Sequence, residues 1–170
     1  MSNRLIVVAI LFAANASHAD GAAIAGFLTS AEGDFTGKGT LATIKDGEKS
    51  SYEYDIELKI DASETTENAF TFESSINGDD GSIHGAHDSM LIQGDNLTYV
   101  NNAVASFPTR LITISETELK YAITFVSNLN GQVYEQIVDY TLSGDTLSAS
   151  ITTGTNGDIV SDDEFSASRY

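Results

Sequence analysis

A chain of 170 residues with 25 acidic against 8 basic side chains carries a formal charge of −17 at neutral pH. Such a surface repels phosphate backbones and anionic lipid headgroups, which disfavours nucleic-acid binding and docking on membranes through basic patches. Cysteine and tryptophan are absent, so neither a disulfide, a reactive thiol nor a lipid-modified N-terminal cysteine is available.

The N-terminus has the three parts of an export signal: a short basic start ending at Arg4, an apolar run from Leu5 to Ala14, and the small-residue segment Asn15-Ala16-Ser17-His18-Ala19-Asp20. Cleavage is expected after Ala19, which makes residues 1–19 a signal peptide and 20–170 one domain. The apolar run spans ten residues, whereas about 20 are needed to cross a bilayer; the alternative is a retained anchor. The expected location is periplasmic or extracellular, with no membrane insertion after cleavage. The segment carries Arg4 and no acid, so the remaining 151 residues have a net charge of −18. A domain of that size buries about 70% of the surface its unfolded chain exposes. The acids are spread along the chain, which is how a solvated surface looks; recruitment of a cation or a basic partner is the functional alternative.

Ala22 to Ala31 places Ile24, Phe27 and Leu28 at helical spacing, which suits either a short helix plugging one end of a barrel or a mobile leader. From there period-two alternation takes over. Phe35 to Ile44 is a candidate first strand, with Gly37 and Gly39 inside it. Tyr52, Tyr54, Ile56, Leu58 and Ile60 then share one face, while Glu53, Asp55, Glu57 and Lys59 share the other. That is a strand with one wet side. Further strands are expected at 69–76, 90–93, 97–100, 110–114, 119–126, 132–142, 147–153 and 164–170. Turn sequences such as Gly94-Asp95-Asn96, Asn128-Leu129-Asn130-Gly131 and Asn156-Gly157 separate them. Pro108 is placed in a connection. Short links and eight to ten strands predict an all-β fold, a single antiparallel up-and-down barrel whose closure removes exposed edges.

The segment Gly33-Asp34-Phe35-Thr36-Gly37-Lys38-Gly39-Thr40-Leu41 resembles the first strand of lipocalin-like (calycin) barrels, where an aromatic is followed two residues later by glycine. The closing Ser168-Arg169-Tyr170 is similar to the last strand of that group. The resemblance implies that Phe35 and Arg169 form a stacked, barrel-closing pair, and it is closest to small exported bacterial barrels of unknown function. Two departures stand out. Those barrels usually carry Trp where this chain has Phe35. Haem-binding relatives use a late histidine, and the last one here is His87. No cofactor is therefore expected.

Few residues suggest chemistry. His84, His87 and Asp88 are a weak metal-ligand set, since an odd separation puts the two imidazoles on opposite faces of a regular strand unless Gly85-Ala86 bulges. Asn77 to Gly81 and Ser161 to Glu164 are rich in oxygen ligands, yet neither fits an EF-hand loop and both suit turns. There is no nucleophile elbow and no phosphate loop, so an enzyme is not expected. The aromatic positions Tyr52, Tyr54, Phe70, Phe72, Tyr121, Phe125, Tyr134 and Tyr140 all alternate inward. They would either line a cavity for a small hydrophobic or amphipathic molecule or fill the interior. The expected function is thus a non-catalytic barrel that binds or carries such a molecule. The alternative is a structural or interaction module of the envelope or matrix with a filled core; no protein partner can be named.

Overall fold

The computed structural model describes residues 21–78, 81–101, 105–127 and 129–170. The expected signal peptide, residues 1–19, lies outside the described residues, as do Asp79, Asp80 and Asn128 of two expected turns. One helix precedes ten strands: α1 (Gly21–Ser30), β1 (Gly33–Lys45), β2 (Glu48–Ala62), β3 (Ala69–Gly78), β4 (Ile83–Gln93), β5 (Asn96–Asn101), β6 (Ala105–Ile114), β7 (Glu118–Val126), β8 (Val133–Ser143), β9 (Thr146–Thr155) and β10 (Asp158–Arg169). Each strand pairs antiparallel with its neighbours in sequence, and β1 pairs with β10 from Phe35↔Arg169 to Thr43↔Ser161, closing the barrel. Among the described residues no sheet edge is left for another chain to extend.

The alternation in β2 does what its sequence dictates. Tyr54, Ile56, Leu58 and Ile60 are buried, and Glu53, Asp55, Glu57 and Lys59 face solvent. Two-residue turns at Asp46-Gly47 and Asn156-Gly157 hold positive φ at both positions, the geometry that matches the twist of a tight hairpin.

Helix α1 resolves the choice between plug and leader. Ile24, Phe27 and Leu28, at i, i+3 and i+4, form one apolar stripe that is almost completely buried. The helix meets β4, β5, β6 and β7 at the end of the barrel where the β4–β5 turn lies. Its first amide donates to the Asp95 carboxylate of that turn across a long 3.4 Å. The layer it covers includes Phe35, Ile60, Met90, Leu97, Leu119 and Leu147, all buried.

Two strands are longer than the residue pattern suggests. β4 begins at Ile83 and takes in the whole His84 to Asp88 stretch, because β3 pairs with it without interruption from Asn77↔Ile83 to Ala69↔Leu91. Here neighbouring strands override weak local preference. Pro108 lies inside β6 and not in a connection. It faces Thr98 on β5, while the β6–β7 ladder starts only at Thr109↔Ile123. Proline therefore borders a single ladder, as on an edge strand, where its missing N–H is tolerated.

Candidate functional site: a chamber above the plug

Eight strands make a barrel whose side chains just fill it, and diameter grows with strand number. Ten strands leave surplus width. The helix consumes that surplus at one end only. Above it remains a chamber of about 190 Å³.

Its walls are largely apolar, with Ile56, Leu58, Phe72, Met90, Val138 and Ile151 among them. Polar groups come from seven strands. Tyr54 on β2 donates its hydroxyl to Asp163 Oδ1 on β10 at 2.5 Å. Tyr99 on β5 donates to Asp88 Oδ2 on β4 at 2.7 Å, and Asn101 Nδ2 donates in turn to Tyr99 Oη at 3.3 Å. Tyr121 on β7 lies beside Tyr140 on β8, whose ring stacks on Phe72 with centroids 6.2 Å apart. Gln136 Nε2 reaches Thr153 Oγ1 at 3.2 Å.

Glycine makes one of these contacts possible. A Cβ on Gly39 would lie 2.2 Å from the Tyr54 ring. The missing side chain is the space through which that ring reaches Asp163. Gly37 is likewise required by a close backbone approach, since its Cβ would meet the Ser166 carbonyl oxygen at 2.0 Å.

The chamber is a poor solvent for charge. Burial pushes the Asp163 carboxyl above its ordinary value, against the opposing pull of the Tyr54 hydrogen bond. Burial also raises Tyr54, Tyr99, Tyr121 and Tyr140 well above the usual phenol value, and neighbouring carboxylates add to the effect. All four phenols therefore stay protonated through the neutral range, and Tyr54 and Tyr99 donate to Asp163 and Asp88.

The aromatic positions read from the sequence divide among three levels. Tyr54, Phe72, Tyr121 and Tyr140 line the chamber. Phe70 is buried in the core cluster below. Phe125 and Tyr134 stack at 5.6 Å nearer the mouth, joined by Phe107 at 6.3 Å from Phe125, and Tyr52 is more than half exposed. The two histidines do not converge. The unbroken β3–β4 register leaves no bulge at Gly85-Ala86, and His87 sits outside the barrel with Nδ1 3.2 Å from Glu73 Oε1. Asp88 faces the interior instead. Among the described residues no group of three or more His, Cys, Asp or Glu is placed to hold a metal ion.

Arg169 lies over the Phe35 ring, its guanidinium carbon 5.1 Å from the centroid. Its Nη2 donates to the Ser30 carbonyl at 2.9 Å, which ties the last strand to the end of the plug helix. Tyr99 and Gln136 were absent from the sequence-derived set; Asp88 entered it only as a metal ligand, and Asp163 only within the oxygen-rich stretch Ser161 to Glu164, which lies inside β10 and not in a turn. Strand parity holds the signal: Asp163 alternates with Phe165 and Ala167, and Tyr99 with Leu97.

The chain matches no known protein-family profile and no curated protein.

Proposed function

We propose that this protein is an exported, non-catalytic barrel of the calycin kind that binds or carries a small amphipathic molecule in the chamber above α1. The supporting observation is the chamber itself: an unfilled interior of about 190 Å³ with apolar walls and a few oriented polar groups, the usual make-up of a ligand site. It is smaller than the ~300 Å³ at which drug-sized pockets begin, so the ligand is compact. An engineered apolar cavity of about 150 Å³ accepts benzene; this one suits one ring with a short arm. The calycin assignment draws on the meander that returns β10 to β1 and on Arg169 over Phe35.

Binding to the native state alone stabilises it by about 2.7 kcal/mol at a hundredfold excess over Kd. In a domain of this size that raises Tm by roughly 5–10 °C. A thermal-shift screen of fatty acids, lipids and small aromatic metabolites is expected to find compounds that do this. Absence of any shift across the panel would overturn the reading.

A further inference from the structure

The inner wall does not end at the chamber. Four aromatic rings stand in a row across consecutive strands: Tyr99 on β5, Phe107 on β6, Phe125 on β7 and Tyr134 on β8. Tyr99 and Phe107 are register partners with ring centroids 6.2 Å apart, and Phe125 and Tyr134 are partners at 5.6 Å. The middle two, Phe107 and Phe125, meet edge to face at 6.3 Å. Strands lie about 4.8 Å apart, so the row runs about 14 Å round the wall. All four residues are half-buried, whereas Leu97 and Tyr121, further down the same face, are buried. Helix α1 is seated at the far end, so the row faces open interior. Tyr99 also lines the chamber, which makes the two surfaces continuous. At the outer end the Tyr134 hydroxyl donates to Gln132 Oε1 at 3.2 Å and accepts from Asn130 Nδ2 at 3.0 Å, which holds the ring at the lip. This side of the rim is uncharged. Residues 101–105 and 127–132 contain no acidic or basic side chain, while the β1–β2, β3–β4 and β9–β10 connections all contain acids.

We propose that the row is a second subsite, for a planar conjugated and uncharged part of the ligand, an inference that rests on the small-ligand reading above. The chamber accepts one ring, and the row gives a second ring of the same molecule a place to lie. Rings gain attraction from other rings beyond the area they bury, which an aliphatic tail does not. Side chains that merely filled the barrel would be covered; these keep exposed surface because ten strands leave the interior wide. The neutral rim beside them is the entry side for such a molecule, since the rest of the mouth would present it with charge.

Matched probes separate planarity from greasiness. Phenylnaphthylamine, which is neutral and fluoresces more brightly in apolar surroundings, is titrated beside decanol and benzyl alcohol, the latter two by calorimetry. Phe107→Leu/Phe125→Leu keeps the row apolar and removes its rings. It should weaken phenylnaphthylamine binding about tenfold while leaving decanol and benzyl alcohol within about twofold, and retained benzyl alcohol binding also shows that the variant folds. Tyr134→Leu, at the half-buried lip, should weaken phenylnaphthylamine about threefold and serves if the double variant does not fold. Unchanged phenylnaphthylamine affinity in the variants, or an equal loss of decanol, would overturn the planar subsite. So would a parent protein that binds benzyl alcohol but not phenylnaphthylamine. Each of those results leaves the small-ligand reading standing. Silence from all three probes, with no Tm shift across the wider panel, would remove both.

Discussion

The two ends of the barrel are built from the same alternating strands and come out opposite. At the plugged end Ile24, Phe27, Leu28, Leu119 and Leu147 are essentially inaccessible to water. At the other end Ile83, Val133 and Ile159 stand exposed where their strands begin, and Leu129, in the β7–β8 turn, is 99% exposed. The difference lies in what covers the alternation. A ten-stranded barrel is too wide to fill itself from its walls, so its end is sealed only where a further layer reaches it. Helix α1 supplies that layer at one end. Between the two ends, the uncovered interior is where carboxylates and phenols can be kept.

The largest effect should come from removing the plug's anchor. Phe27→Ala deletes a buried aromatic at the barrel floor and is expected to cost about 3–5 kcal/mol. Leu129→Ala, at the open end, should stay within about 0.5 kcal/mol. Denaturant unfolding of both measures the asymmetry; equal costs would erase it. A middle-sized effect is expected from Gly39→Ala. The new methyl meets the Tyr54 ring, and such overpacking costs about 1–3 kcal/mol. Because it displaces the phenol from Asp163, it should also change ligand binding, which a surface glycine substitution would not. The smallest effect per residue concerns pH. The four chamber tyrosines have raised folded values, so their contribution to stability is complete below the ordinary phenol value of 10.0 and is lost as pH rises above it. Each contributes at most about 1.4 kcal/mol per pH unit, and less at Tyr54 and Tyr99 on the mouth side. Unfolding with denaturant near about pH 11 should therefore release tyrosinate absorbance in a step that Tyr121→Phe diminishes.

Much of the barrel was legible because alternation is a local signal. Tyr52 to Ile60 declares its two faces without reference to any other strand, and Asn156-Gly157 declares its turn. The helix was legible only as a choice, since Ile24, Phe27 and Leu28 show a stripe but not what it packs against. Pro108 and the His84 to Asp88 stretch were misplaced because local preference opposed strand, and pairing with β5 and β3 prevailed. The chamber was the least legible part. Alternation says that Tyr54 and Asp163 point inward, but their meeting depends on the β1–β10 closure and on the gap at Gly39. Acidic residues elsewhere on the strands face water, and parity with Phe165 and with Met90 is the one signal that sets Asp163 and Asp88 apart.

A crystal structure refined with its solvent would test the central claim, that a polar chamber sits on an apolar floor. The account predicts density for ordered water or a ligand between Asp88 and Asp163, with Tyr54 and Tyr99 on the carboxylates and α1 seated below. An interior packed solid by side chains, or Asp163 turned to the outer face, would contradict it.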